Sequence, residues 1–219
     1  MPLASVLDAV LDRSVVLGYS KVGSALRRHW WPADPAPGSM AGKRVLVTGA
    51  TSGIGAAMGR SFAELGATVH LLGRNPAKVT AEAKDLRLHS PNTEVVEEVC
   101  DVSDLDAVRT WSEAFAQRVP ALHGLVHNAG TMTETRQETA QGHETVLAVH
   151  VLGPHLMTEL LRRPLADAQG SSVVWMSSGG MYGAKPYAEP DDIEYRRGDY
   201  QPVQAYARTK RMQVVLADA

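Results

Sequence analysis

Three polar residues near the end of the chain have types and spacing that suit proton transfer. Tyr206 and Lys210 are four positions apart, which is about one turn of a helix, so both side chains project from the same face. A neighbouring ammonium group favours the phenolate form of a tyrosine, and such a phenol can act as a general acid or base. Ser178 can supply a further hydroxyl donor. A Tyr and a Lys at this spacing are more often a surface pair, so context decides their meaning.

A second group of residues has the composition of a phosphate-binding turn. The apolar stretch 44–48 runs into Thr48-Gly-Ala-Thr-Ser-Gly-Ile-Gly55, and an Ala-rich helical pattern follows as far as Leu65. The glycines allow a tight turn, close approach of the backbone to a pyrophosphate and close packing of helix on strand. Free amides at the start of the helix attract phosphate groups. Dense glycines can be simple turn residues, but a strand and a helix on either side favour a dinucleotide site.

The elements that must position these residues alternate between short apolar runs and amphipathic stretches, as in a parallel sheet covered on both faces. We predict strands near residues 44–48, 68–72, 94–100, 122–127 and 172–177.

The segment between the third and fourth predicted strands has a clear helical pattern. Ser103 is expected to cap this helix, and Pro120 bounds its end. One face of the helix is formed by the apolar residues Leu105, Val108, Trp111 and Phe115.

Residues 1–31 have apolar positions spaced three and four apart, which predicts an amphipathic helical extension. The extension ends in a basic and aromatic cluster, residues 27–31, of a kind that can lie at a membrane surface. The alternative is a helix packed on its own domain or on a second subunit. Residues 32–42 are rich in Pro and Gly and are predicted to be a linker before a domain at residues 43–219.

Composition excludes several functional classes. The chain has 219 residues and a formal net charge of −2, so it has no basic field for binding nucleic acid. Cys100 is the single cysteine, which excludes an internal disulfide or a cysteine zinc site and favours a cytoplasmic location. There is no long apolar run, secretory leader or His-Glu-x-x-His motif, and Ser178 is not in a Gly-x-Ser-x-Gly elbow. We therefore expect no spanning segment, no metal site and no serine hydrolase.

Taken together, the motifs resemble the short-chain dehydrogenase/reductase family, in its retinol-dehydrogenase-like branch. The resemblance rests on the glycine turn, on Asp101-Val102 after the third strand, on His127-Asn-Ala-Gly130 after the fourth, and on Ser178 followed by Tyr206-x-x-x-Lys210. It implies a doubly wound parallel Rossmann sheet with five strands in the order 3-2-1-4-5. It also implies hydride transfer between a nicotinamide cofactor and a carbonyl or alcohol carbon of an apolar small molecule.

The resemblance assigns roles to particular residues. The catalytic group would comprise Ser178, Tyr206 and Lys210, together with His150 in the place where the family has an Asn. A histidine there can act as a substituted proton relay or simply be a packed helix residue. The cofactor-binding residues would be Thr48, Gly49, Thr51, Ser52, Gly53, Ile54, Gly55, Arg74, Asp101, Val102, Asn128, Ala129, Gly130, Tyr206 and Lys210.

The choice of cofactor depends on the end of the second strand. An acidic residue there would bind the adenosine ribose and repel a 2′-phosphate. This chain has Gly73 followed by Arg74, and a guanidinium can bind a 2′-phosphate in charge-assisted hydrogen bonds. NADP is therefore the expected cofactor, with NAD as the alternative.

The sequence ends nine residues after Lys210, at Ala219, whereas the family continues through a sixth strand, a substrate-binding lid and a seventh strand. A second hypothesis is therefore a truncated chain that binds a nucleotide or pairs with another subunit without turnover. The family also implies a homo-oligomer formed through the helices that carry His150 and Tyr206.

Overall fold

The computed structural model describes residues 3–14, 18, 20–91, 93–184 and 192–218. These residues fall into two units, residues 1–36 and residues 37–219.

The first unit contains helices α1 (Leu3–Arg13) and α2 (Lys21–Arg27). The predicted amphipathic pattern is therefore helical over these two ranges, while its positions 15, 16 and 19 lie outside the described residues. Arg27 joins the two helices, because its guanidinium donates to Asp8 at 2.7 Å and also to Asp12. A third bond from the same side chain reaches the carbonyl of Gly18 at 3.0 Å.

The second unit is built on a five-stranded parallel sheet in the order β3-β2-β1-β4-β5. The strands are β1 (Arg44–Thr48), β2 (Thr68–Gly73), β3 (Val95–Val99), β4 (Gly124–His127) and β5 (Ser172–Trp175). The predicted strands and their order are confirmed, although β3, β4 and β5 are shorter than the apolar runs. β1 is central, and its residues Val45, Leu46 and Val47 are almost fully buried, as expected of a strand covered on both faces.

Helices and turns connect the strands. They are α3 (Gly53–Glu64), α4 (Pro76–His89), α5 (Leu105–Arg118), α6 (Thr145–Leu147), α7 (Gly153–Leu160), α8 (Arg162–Asp167), a 3-10 turn (Gly179–Gly183) and α9 (Pro202–Asp218). Two apolar clusters fill the space beside the sheet: Leu46 and Phe115 belong to one, and Val47 and Leu71 to the other. Neighbouring residues of β1 thus face opposite layers, which is the alternation of a strand.

A π-helical segment, Ala148–Leu152, joins α6 to α7 without a break. Gly153 follows it, and a Cβ at this position would overlap the carbonyl oxygen of Val102. Pro154 comes next and has no backbone N–H. This part of the helix therefore lies in direct backbone contact with the loop after β3.

Helix α5 corrects one prediction. Its N-cap is Asp104, whose Oδ1 accepts from the amides of Asp106 and Ala107, both at 3.1 Å. Ser103 is not the cap: its hydroxyl donates instead to Asp101 at 2.7 Å. Both residue types are good caps, and the adjacent Asp101 carboxylate draws the serine away from the helix.

Candidate active site

A cleft of about 720 Å³ opens along the carboxyl ends of the strands. Gly73 ends β2, and Cys100, Asn128 and Met176 directly follow β3, β4 and β5; all four residues line the cleft. This is where open parallel sheets bind their ligands. The predicted site residues in the lining are Gly49, Thr51, Ser52, Ile54, Gly55, Arg74, Asp101, Val102, Asn128, Ala129, Gly130, Tyr206 and Lys210.

The glycine turn forms one end of the cleft, and it has no room for side chains. Gly49 has φ +65°, and a Cβ on it would lie 2.8 Å from the Cα of Ala129. A Cβ on Gly55 would overlap the carbonyl of Gly49 and lie 2.5 Å from Nδ2 of Asn128. The turn therefore packs backbone to backbone against the loop after β4, and the first turn of α3 begins beside it.

Thr48 and Asn128 hold the turn to the end of β4. The Thr48 hydroxyl accepts from the amides of Asn128 and Ala129, both at 3.0 Å, and donates to the carbonyl of Val126 at 3.3 Å. The Asn128 side chain donates to the carbonyl of Thr48 at 3.0 Å and to that of Gly49 at 3.3 Å. Thr48 is buried and does not line the cleft, so it supports the turn from below. Gly53, at the start of α3, is also outside the lining.

The wall formed by the ends of β2 and β3 carries two cations and one carboxylate. Arg74 is exposed and lines the cleft together with Lys78, one turn further along in α4. Asn75 caps α4 by accepting from the Lys78 amide at 3.1 Å. The Asp101 carboxylate is held by Ser103, whose amide donates to it at 2.9 Å. Sequence reasoning missed Lys78, although a lysine four residues after Arg74 at the start of a helix was a visible signal.

At the other end of the cleft, α9 carries Tyr206 and Lys210. Lys210 is buried, with its Nζ donating to the carbonyl of Met176 at 2.6 Å and lying 5.7 Å from the centre of the Tyr206 ring. Burial lowers the pKa of Lys210 to about 8, because a low-dielectric environment disfavours the charged form. Ser177 anchors the helix by donating to the Lys210 carbonyl at 2.8 Å.

Ser178 lies beside Tyr206, although it is not among the residues that line the cleft. Its Oγ accepts from the amide of Gly180 at 3.2 Å. A Cβ placed on Gly180 would be 3.6 Å from Ser178 Oγ and 4.0 Å from Cε1 of Tyr206. The serine and the tyrosine therefore flank the same small space, which the glycine leaves open.

His150 lies on the π-helical segment, beneath Tyr206 rather than in the cleft lining. Its ring meets the Tyr206 ring edge-on, with 5.3 Å between centroids. Nε2 accepts from the amide of Thr131 at 3.0 Å, and Nδ1 is 2.7 Å from the hydroxyl of Thr209. Burial, with a smaller contribution from the charge of Lys210, lowers the pKa of His150 to about 3.

The loop after Ser178 is described at residues 179–184 and 192–200. Tyr200 docks it on the loop after β4, because its hydroxyl lies 2.9 Å from that of Thr133 and 3.2 Å from the Glu144 carboxylate. Arg136 adds a bond to the carbonyl of Glu194 at 2.8 Å. Sequence reasoning missed these contacts, because they join segments that are far apart in the chain.

Among the described residues, no helix is long and apolar enough to cross a bilayer. The same part of the chain holds no cluster of three or more His, Cys, Asp or Glu side chains suited to a metal ion.

Comparison with known proteins adds a family match. The model of the short chain dehydrogenase family matches residues 43–189. Dehydrogenase/reductase SDR family member 12 of Homo sapiens is 34% identical over 177 residues, which cover 81% of this chain and 55% of the relative. Retinol dehydrogenase 12 of Homo sapiens is 37% identical over 137 residues, covering 63% of this chain and 43% of the relative. The chain thus spans about half the length of the curated relatives it matches.

Comparison with solved structures finds the same family. A short chain dehydrogenase from Escherichia coli CFT073, solved as its NADPH complex, aligns with a TM-score of 0.65 and 26% identity, covering 84% of this chain and 74% of that one.

Proposed function

Because the chain belongs to the short-chain dehydrogenase/reductase family, in its retinol-dehydrogenase-like branch, we propose that it is an NADPH-preferring oxidoreductase. It transfers hydride between the nicotinamide and the carbonyl or alcohol carbon of an apolar small molecule. The observation that carries the proposal is the cleft itself, with a glycine turn at one end and Tyr206 and Lys210 at the other. Ser178 lies outside the lining but close to Tyr206.

The geometry of the cleft fits a dinucleotide. Its volume of about 720 Å³ lies in the range of cofactor sites. Gly49 and Gly55 let the turn pack tightly where any side chain would overlap neighbouring atoms, and the amides at the start of α3 can donate hydrogen bonds to phosphate oxygens. Asp101 and Val102 would hold the adenine end, and Ala129, Gly130 and Lys210 would hold the nicotinamide end.

The preference for NADPH rests on charge. Arg74 and Lys78 are both exposed on the wall at the end of β2. Two cations there can bind a 2′-phosphate, which an acid in the same place would repel.

The chemistry divides between the cofactor and the protein. Bound NADPH supplies the hydride that reaches the carbonyl carbon, and NADP accepts one in the reverse direction. In reduction, the Tyr206 hydroxyl gives its proton to the carbonyl oxygen, and in oxidation the phenolate takes that proton from the alcohol. Ser178 donates a hydrogen bond to the same oxygen, stabilising the negative charge that develops there. Lys210 is charged at neutral pH and places its Nζ 5.7 Å from the centre of the Tyr206 ring.

An apolar substrate is favoured by the side chains at the catalytic end of the cleft. Met132 and Met176 line it, and Met132 is 57% exposed. Thioether side chains adapt to irregular apolar surfaces. The relatives named retinol dehydrogenase 12 point in the same direction.

Assembly and location are part of the proposal. A homo-oligomer formed through the helices that carry His150 and Tyr206 follows from the family resemblance. A cytoplasmic location is favoured by Cys100, a free buried thiol. Peripheral membrane contact through the first unit is favoured by exposed apolar side chains on α1 and α2, among them Val10 and Val22.

The test is a titration of the chain with NADPH and NADH, followed by cofactor fluorescence while the mass in solution is measured. Nonanal then serves as an apolar probe aldehyde, with NADPH consumption followed by absorbance. We expect tighter binding of NADPH than of NADH, and turnover. Tyr206→Phe should bind NADPH normally and lose about 10³-fold in kcat, because the proton donor is gone. NADPH binding with no consumption of any of a panel of aldehydes and ketones would favour nucleotide binding without turnover.

A further inference from the structure

His150 is a buried polar side chain that the mechanism above does not use. It lies between two elements that do take part, the loop after β4 and helix α9. On one side, Thr131 directly follows Gly130, which lines the cleft. On the other side, Thr209 lies between Tyr206 and Lys210 on α9. The His150 ring contacts both threonines.

The hydrogen bonds fix the proton on the ring. A backbone amide can only donate, so Nε2, which faces the Thr131 amide at 3.0 Å, must present its lone pair. A neutral imidazole then carries its single hydrogen on Nδ1, which donates to Thr209 Oγ1 at 2.7 Å. The Thr209 hydroxyl donates in turn to a carbonyl of its own helix, that of Tyr206 at 2.9 Å or that of Ala205 at 3.1 Å. A second proton on the ring would face the hydrogen of the Thr131 amide.

The backbone of residue 150 is also tied to α9. In a regular α-helix its carbonyl would accept from the amide of residue 154, but Pro154 has no N–H. Gln213, which is fully buried on α9, donates to this carbonyl at 2.9 Å instead. The side chain and the carbonyl of His150 therefore bond to the same helix, one on each side of Lys210.

The fit around the ring is close. A Cβ on Gly130 would lie 3.2 Å from His150 Nε2 and 3.8 Å from Lys210 Nζ. The titratable groups against the ring are Tyr206, edge-on to it, and Lys210, whose charge opposes protonation of the histidine. A cation in this place would therefore be unfavourable on two counts, burial and like charge.

We propose that His150 is a positioning residue, which holds the Tyr206 and Lys210 helix against the floor of the cleft through Thr131, Thr209 and Gln213 and carries no proton during the reaction. The role of His150 rests on the proposed oxidoreductase function, because the helix it positions carries the proton donor. Displacement of the proton donor from its reacting position lowers the rate of the reaction, and a displacement of about 1 Å can lower it about 100-fold.

Two substitutions of Thr209 test the proposal without changing the histidine. Thr209→Val keeps the shape and removes the hydroxyl, whereas Thr209→Ser keeps the hydroxyl. With NADPH and nonanal, we expect Thr209→Val to lower kcat about tenfold, with the KM for NADPH and the shape of the pH profile unchanged. Thr209→Ser should stay within about twofold of the unmodified chain, because it preserves the hydrogen bond. An unchanged kcat in Thr209→Val would overturn the proposal.

The histidine itself is tested by His150→Asn and by the double variant with Thr209→Val. Because the two residues act as one unit, the double variant should be no slower than the slower single variant. Full additivity would mean that the two residues act independently, and a changed pH profile in either single variant would mean that the pair moves protons; either result would overturn the proposal.

A readout that needs no turnover separates this inference from the proposed function. In chain labelled with ¹⁵N-histidine, the His150 signal, assigned by its loss in His150→Asn, should show the Nδ1–H form, unchanged from about pH 5.5 to 9. Titration of this signal within that range would refute the positioning role. Failure of the unmodified chain to bind NADPH or to consume nonanal would instead contradict the proposed function. The NMR result would still show whether His150 keeps its neutral Nδ1–H form.

Discussion

The two ends of the cleft are held together by different kinds of contact. At the glycine turn, backbone lies against backbone, and Gly49 and Gly55 are required because nothing larger fits. At the end beneath Tyr206, side-chain hydrogen bonds join the π-helical segment to α9 through His150, Thr209 and Gln213. Added atoms should therefore be damaging at the glycines of the first end, whereas the loss of a hydrogen-bonding side chain should be damaging at the second end and at Thr48, which supports the turn. The predictions that follow test this difference in the order of their expected size.

The largest effect is expected at Gly55. Gly55→Ala would place a methyl group on the Gly49 carbonyl and 2.5 Å from Asn128 Nδ2, so the turn must move. We expect NADPH binding to weaken at least about 100-fold, since overpacking of this kind costs about 3 kcal/mol. The control is Gly183→Ala, where a Cβ meets nothing within 4 Å. Fluorescence titration measures the NADPH affinity of both variants. Equal affinities would show that the glycine turn tolerates added atoms, contrary to the difference proposed between the two ends of the cleft.

The next effect concerns Thr48, where the backbone end itself depends on one side chain. Thr48→Val removes the hydroxyl acceptor from two part-buried amides: the Ala129 amide loses its acceptor, while the Asn128 amide keeps the Val126 carbonyl at 3.0 Å. We expect the free energy of unfolding to fall by about 2 kcal/mol. The matched control is Thr68→Val, which removes one exposed hydroxyl bond, to Glu94 at 3.1 Å, and should cost less than about 0.5 kcal/mol. Urea unfolding measures both, and a Thr48→Val loss no larger than that of the control contradicts the prediction.

A smaller effect is expected at Arg74, the side chain proposed to set the preference between NADPH and NADH. Arg74→Gln should weaken NADPH binding about tenfold and leave NADH binding unchanged, because a charge-assisted bond to the 2′-phosphate is lost. Arg109→Gln removes the same charge at an exposed position outside the cleft lining and should change neither. If Arg74→Gln weakened NADPH and NADH binding equally, the Arg74 guanidinium would not be a ligand of the 2′-phosphate.

The smallest effect is a pH dependence of stability from His127, which is buried at the end of β4. Its Nε2 lies 2.7 Å from the Thr158 hydroxyl, and burial lowers its pKa to about 3. Below the ordinary pKa of about 6.5 the unfolded chain takes up a proton that the folded chain refuses, so stability is present above this pH and is lost as pH falls. From pH 7 to 5.5 the loss due to His127 is about 1 kcal/mol.

The measurement is urea unfolding of His127→Asn and of the unmodified chain at both pH values. The variant should lose about 1 kcal/mol less than the unmodified chain on acidification. His155→Asn, at an exposed position on α7, should lose the same amount as the unmodified chain. His150 has a similarly lowered pKa, so part of the slope persists in His127→Asn.

The same difference between the two ends explains what the sequence could predict. The strands, their order and the glycine turn follow from patterns within a few residues, or from motifs that the family shares, and the structure has them as expected. Tyr206 and Lys210 share a helix face because their spacing requires it. The cap of α5 lies one residue beyond the predicted Ser103, since Ser103 and Asp104 are both good caps and the local hydrogen bond from Ser103 to Asp101 decides between them.

The support beneath Tyr206 was beyond sequence reasoning for a physical reason. His150 bonds to Thr209, 59 positions further along the chain, and no local pattern links the two. The π-helical segment that presents His150 likewise depends on Pro154 and on the packing around it. The roles assigned to the catalytic and cofactor-binding residues stay predictions, which the variants above are designed to test.

Gly153 connects the two ends of the cleft. A Cβ there would overlap the Val102 carbonyl, so the helix lies directly on the loop that carries Asp101 and Val102. His150 lies three residues earlier in the same continuous helical stretch. A single methyl group at position 153 would overlap the Val102 carbonyl, so the helix that carries His150 would have to shift relative to this loop. The distance between the loop proposed to hold the cofactor and the helix beneath the proposed proton donor is therefore set, in part, by an atom that the chain omits.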